Sequence, residues 1–98
     1  MNLKSLSDHE LLSSTRETVQ RERELTGLVL DHLREIEARK LFAKLGFGSL
    51  FEYCVVELRY CAASAQLRID AMRLSKELPE VKEALNMGSV TLSSVGTL

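Results

Sequence analysis

The chain has 98 residues, with thirteen Lys and Arg against fourteen Asp and Glu and a formal net charge of -1. Hydrophobic residues make up 45% and charged residues 28%, with five Gly, one Pro, two Cys and no Trp. These proportions exclude a disordered tail and point to one folded domain rich in helix-forming Leu, Glu, Arg and Ala. No apolar run approaches the roughly 18 residues needed to span a bilayer, and Met1-Asn2-Leu3-Lys4 leads into a polar segment, so no secretory signal is expected. Two cysteines are too few for a disulfide framework and two histidines too few for a zinc cluster. The expectation is therefore a protein of a reducing cytoplasm, without metal or cofactor. Near-neutral charge means that any nucleic-acid role must rest on a local patch.

Ser7-Asp8-His9-Glu10 opens the first helix. Ser7 can accept from the Glu10 N–H while the Glu10 carboxylate reaches back, and the acids of this turn suit the positive end of the helix dipole. From there to Leu45 the sequence has no Pro and only one Gly, Gly27. Leu25, Val29, Leu33 and Ile36 fall on one helical face, whereas Leu12, Thr15 and Val19 form a thinner pattern before them. One helix of about 35 residues, roughly 50 Å long at about 1.5 Å per residue, competes with two helices broken near Gln20–Gly27. The single helix is favoured, because no cap or turn chemistry interrupts it. Such a helix overhangs a small domain, and its exposed stripe calls for a partner, most simply a second copy of the chain.

Gly46 is suited to stop the helix in a left-handed conformation. Gly46-Phe47-Gly48 is then a connector, and Ser49 with Glu52 forms a second capping box. The next helix is expected from Leu50 to about Leu58, with Phe51, Val55 and Leu58 inward and Cys54 beside them. After Arg59-Tyr60-Cys61, a helix from about Ala62 to Lys76 buries Ala65, Ile69 and Met72. Pro79 begins another helix, which turns Val81 and Leu85 inward and ends at Gly88. Thr91-Leu92 starts a further helix that stays unfinished, and the last ten residues carry no charge.

The expected fold is thus all-α: a long N-terminal helix (1–46, a possible dimerisation element) followed by a small helical bundle (47–98) containing a helix-turn-helix. Within residues 50–75, a short helix, a tight turn and a second helix fit that motif, in which the second helix enters the DNA major groove. Ala63, Ser64, Gln66, Leu67, Arg68 and Asp70 are expected to face outward. Arg59, Tyr60, Ser64, Gln66, Arg68 and Arg73 are the candidate DNA contacts, since Arg, Gln and Ser suit base edges or phosphates and Tyr60 suits a phosphate. An ordinary helical hairpin fits the same spacing. From Arg59 to Leu98 five basic residues face four acidic ones, a net of +1, so binding to double-stranded DNA is expected to be weak to moderate and salt-sensitive.

Arg39-Lys40-Leu41-Phe42-Ala43-Lys44-Leu45-Gly46-Phe47-Gly48-Ser49-Leu50-Phe51-Glu52-Tyr53-Cys54 resembles the N-terminal helical region of a family of bacterial HNH endonuclease proteins. So does Arg68-Ile69-Asp70-Ala71-Met72-Arg73 followed by Glu77-Leu78-Pro79. The resemblance covers about Leu6 to Leu98. Leu78-Pro79-Glu80 with Gly88 and Thr91-Leu92 also resembles the helix-turn-helix of ParB-type partition proteins. Relative to the first family's pattern, Arg59 stands in place of a usual glycine, Cys61 of a serine and Leu67 of an arginine. The resemblance implies a DNA-binding accessory domain that is not catalytic by itself. The metal-dependent His-Asn-His module of that family has no counterpart here, and His9 and His32 match no part of it.

In the first helix basic and acidic residues alternate, with Glu17/Arg21 and Glu35/Arg39 at i, i+4 in the favourable order. Solvated helix surface and a dimer interface flanking Leu25, Val29, Leu33 and Ile36 both fit this pattern. The alternative function is therefore a helical interaction or dimerisation module, with a nuclease module or another protein as partner and no DNA binding. Cys54 and Cys61 read as a buried thiol and a turn residue.

Overall fold

The computed structural model describes residues 2–88, and the expected Thr91-Leu92 helix and uncharged tail lie outside them. The described residues form five α-helices and no strand, preceded by a 3₁₀ turn at Leu3–Ser5. Helix α1 spans Asp8–Arg39, α2 Leu41–Lys44, α3 Leu50–Val56, α4 Ala62–Glu77 and α5 Pro79–Met87.

The capping box at the start of α1 is complete. The Glu10 N–H donates to Ser7 Oγ at 3.1 Å and the Ser7 N–H to the Glu10 carboxylate at 3.4 Å. The helix is continuous through Gln20–Gly27, so the one-helix expectation holds. It ends six residues before Leu45, however, because Lys40 adopts the left-handed conformation with φ 53. A left-handed non-glycine residue costs about 1–2 kcal/mol. The bend offsets that cost by folding α2 back, so that Phe42 packs against the core instead of continuing into solvent. Gly46, with φ 92, then ends α2.

Ser49 caps α3 by accepting from the Glu52 N–H at 3.0 Å, but the Glu52 carboxylate accepts from the Gly48 N–H rather than that of Ser49. The inward face of α3 keeps the expected Phe51 and Val55 against the core but is centred on Leu50 and Cys54. Leu50 and Cys54 are buried, Phe51 and Val55 are half-buried, and Leu58 lies past the end of the helix and is exposed. The stripe of α4 holds as expected, with Ala65, Ile69 and Met72 buried and joined by Ala71. Pro79 occupies the first turn of α5, Val81 and Leu85 are buried, and Gly88 ends the helix with φ 78.

Helix α4 lies at the centre, packed against α1, α3 and α5. The core joins Leu30 and Leu33 of α1 to Leu50, Cys54, Ile69, Met72, Val81 and Leu85. The segments before and after residue 46 therefore share one core. At Gly27 the Asn86 side chain of α5 packs directly on α1. A Cβ there would stand 2.5 Å from Asn86 Oδ1, and Gln20 Nε2 donates to the Asn86 carbonyl at 2.8 Å beside it. Before Gln20, α1 extends past the bundle. This overhang stretches the molecule to 50 × 28 × 20 Å and its radius of gyration to 16.1 Å, against about 13 Å for a compact domain of this length.

Candidate interaction surface

The α3–turn–α4 segment has the expected order, with Glu57–Cys61 as the turn and Arg59 exposed in a left-handed conformation at φ 62. Most of the candidate DNA contacts are engaged within the chain. Tyr60 is half-buried against the core, and the Arg68 guanidinium lies 4.5 Å from its ring centroid, a cation–π contact. Arg68 also donates to the Ser64 carbonyl at 3.1 Å. Gln66 donates to Asp70 at 2.7 Å. Arg73 donates to Glu37 at 2.8 and 3.2 Å, and Lys76 joins the same carboxylate at 3.0 Å. These two cations hold the Glu37 carboxyl below its usual pKa, the Arg73 hydrogen bond contributing most. Of the residues expected to face outward, Ala63 and Gln66 are exposed, while Ser64, Leu67, Arg68 and Asp70 are half-buried.

Cys61 occupies the N-cap of α4 and makes no side-chain bond to its backbone. Its exposed thiol donates to Ser64 Oγ at 3.3 Å, and hydrogen bonding to Ser64 lowers its pKa. Burial raises that of Cys54. Among the described residues no group of His, Cys, Asp and Glu is placed to hold a metal ion, and no helix is long and apolar enough to cross a membrane.

A second surface runs along α1. One groove of about 550 Å³ has Leu25, Leu28, Val29, His32, Leu33 and Ile36 of α1 on one side and Tyr53, Leu58 and Tyr60 on the other. A groove of about 350 Å³ continues it toward the N-terminus along Thr18, Arg21, Glu22 and Thr26, with Arg68 on its edge. The two share Leu25, Val29 and Tyr60 and so form one furrow. Leu25 is 61% exposed and Leu28 51%, which is unusual for neighbouring leucines beside further apolar groups.

All four residues expected at a dimer interface, Leu25, Val29, Leu33 and Ile36, line this furrow. Leu33 is only 1% exposed and belongs to the chain's own core as well. Sequence reasoning missed the opposite wall, because Tyr53, Leu58 and Tyr60 come close only through the fold. It also missed a signal present in the sequence itself. Positions 11, 15, 18, 22, 25, 29, 32 and 36 (Leu, Thr, Thr, Glu, Leu, Val, His, Ile) alternate four and three apart, the spacing of a coiled-coil seam. Several polar members of this stripe are satisfied by their own helix. Thr15 Oγ1 donates to the Leu11 carbonyl and Thr18 Oγ1 to that of Ser14, both at 2.8 Å, and His32 Nδ1 lies 2.6 Å from the Leu28 carbonyl. Both threonine hydroxyls are therefore already bonded before any partner arrives.

Comparison with protein-family models, with curated proteins and with solved structures finds no match. Nothing in them links the chain to the HNH endonucleases or to ParB-type proteins.

Proposed function

We propose that this chain is a helical interaction module that acts by binding, not by chemistry, and that its working surface is the furrow along α1. The observation that carries the reading is the continuous apolar groove between Leu25, Leu28 and Val29 of α1 and the wall formed by Tyr53, Leu58 and Tyr60. A groove of this shape, walled by apolar side chains along a helix, fits the apolar face of another helix. A photo-reactive residue in place of Leu28 tests it. The reading expects cross-links in cells to peptides whose apolar residues recur at helical spacing, and none from the same group in place of Ala63. Cross-linking from Ala63 but not from Leu28 would remove it.

DNA docking by the helix-turn-helix is the second reading, and Arg59 favours it. This residue is exposed at the left-handed corner of the turn and makes no ion pair among the described residues. Arg68 and Arg73 would have to leave Tyr60 and Glu37, or act from where they are held, which leaves few phosphate contacts and a shallow salt dependence. Fluorescence anisotropy of labelled duplex DNA decides it. Binding at low salt that Arg59→Glu abolishes would support it, and no binding at about 20 mM salt would eliminate it.

A further inference from the structure

We propose that the occupant of the furrow is the N-terminal half of α1 from a second copy of this chain, laid antiparallel. The inference rests on the interaction reading above and names its partner. The overhanging half, from Asp8 to about Val19, begins with a complete capping box and, among the described residues, makes no hydrogen bond or ion pair to another helix. Its seam residues are Leu11, Thr15, Thr18 and Glu22, and the exposed Leu12 and Val19 flank that seam on one side. Among the described residues the same molecule therefore carries a helix end that no other helix covers, its seam led by Leu11 and bordered by Leu12 and Val19, and an apolar furrow, and both lie on one straight element.

The seam fixes the pairing. In the antiparallel register Leu11 meets the partner's Ile36, Thr15 the partner's His32, Thr18 the partner's Val29 and Glu22 the partner's Leu25. Each layer recurs by two-fold symmetry, as a closed dimer requires. Charge agrees with this direction. Asp8, at the positive end of the helix, comes level with the partner's Lys40 and with the partner's Arg39, which already pairs with Glu35, at the negative end. The carboxylates already present in the receiving half are neutralised within the chain, Asp31 by Lys82, Glu35 by Arg39 and Glu37 by Arg73 and Lys76. The docked Glu22 lies in the stretch of furrow edged by Arg21 and Arg68. A parallel pair would set Glu22 against Glu22 and place the two bundles side by side, with the overhangs left to each other. The antiparallel pair seats each overhang beside the other copy's bundle.

Sedimentation equilibrium gives the stoichiometry and engineered disulfides give the register. The wild type should sediment at twice the monomer mass. Leu25→Asp, at an exposed site, should raise the dissociation constant about a hundredfold or more, as expected for a central apolar anchor, with far-UV circular dichroism still helical. In a Cys61→Ser background, Leu11→Cys with Ile36→Cys should form a covalent dimer on oxidation, while neither single variant does. An intrachain bond is impossible, since the two sites stand about 37 Å apart at about 1.5 Å per residue on one straight helix. A covalent dimer from Leu11→Cys alone would overturn the antiparallel register. A wild type that stays monomeric at roughly 100 μM, the range of weak association, would overturn the pairing itself. If Leu28 then cross-links a different protein, the pairing falls and the interaction module stands; if it cross-links nothing, both fall.

Discussion

The two halves of α1 obey the same local rules and differ in everything tertiary. From Leu25 to Arg39 the helix sends Leu30 and Leu33 into the core and is tied across to α4 and α5 by Glu37 and Asp31. From Asp8 to Glu24 it has a strong cap, internal side-chain bonds such as Thr15 to Leu11 and, among the described residues, a single hydrogen bond to another helix, from Gln20 to Asn86. Caps and propensity thus extend a helix well beyond what the core covers. An isolated helical stretch of this length is marginal in water, however, because most helical stability comes from packing one face. The overhang is the part of the molecule whose order depends on what it meets.

The largest expected effect breaks the covered half. Leu30 and Met72 are fully buried, so Leu30→Ala or Met72→Ala should cost about 2–5 kcal/mol in a urea titration. Leu12→Ala, at 58% exposure in the overhang, should leave the same midpoint unmoved under conditions where the chain is monomeric. Next comes the cap. Ser7→Ala removes the acceptor for the Glu10 N–H and should cost about 1 kcal/mol of local helix stability. Amide exchange should show this as fraying from Asp8 onward, with the global midpoint of the monomer unchanged.

A smaller effect is tied to pH. The folded-state pKa of Glu37 lies below its usual 4.5, because Arg73 and Lys76 favour the carboxylate. Its contribution is complete above the unfolded value and is lost as pH falls through the folded one. Glu37→Gln should therefore remove about 0.5–1 kcal/mol at neutral pH and flatten the decline in stability below about pH 4.5, read from melting temperatures across that range. The smallest effect is at Arg39. Its pair with Glu35 is 63% and 60% exposed, and Arg39→Ala should leave the melting temperature unchanged within error.

What the sequence disclosed and what it concealed follow the same division. Ser7, Ser49, Pro79 and Gly88 act through neighbours three or four residues away, so their caps and stops were legible. Lys40 was not, because its left-handed bend is held by the packing of Phe42 and not by any preference of lysine. The phase of α3 was misjudged because seven residues are too few to separate Leu50 and Cys54 from Phe51 and Val55. The part Leu33 plays in the core was hidden for a related reason. The apolar residues of α1 serve two surfaces, and only the placement of the bundle shows that Leu33 is buried in the core while Val29 and Ile36, half-buried beside it, also line the furrow. Arg73 and Glu37, far apart in sequence, could be joined only by the fold.

The most direct test of the central claim is backbone amide exchange along α1 at two protein concentrations. At high dilution the account predicts fast exchange from Asp8 to Glu24 and strong protection from Leu25 to Arg39. At concentrations where dimers form, protection should spread into the first half, and Leu25→Asp should abolish that gain. A first half that is equally protected at both concentrations, or unprotected at both, would contradict the claim that α1 is completed by a second molecule.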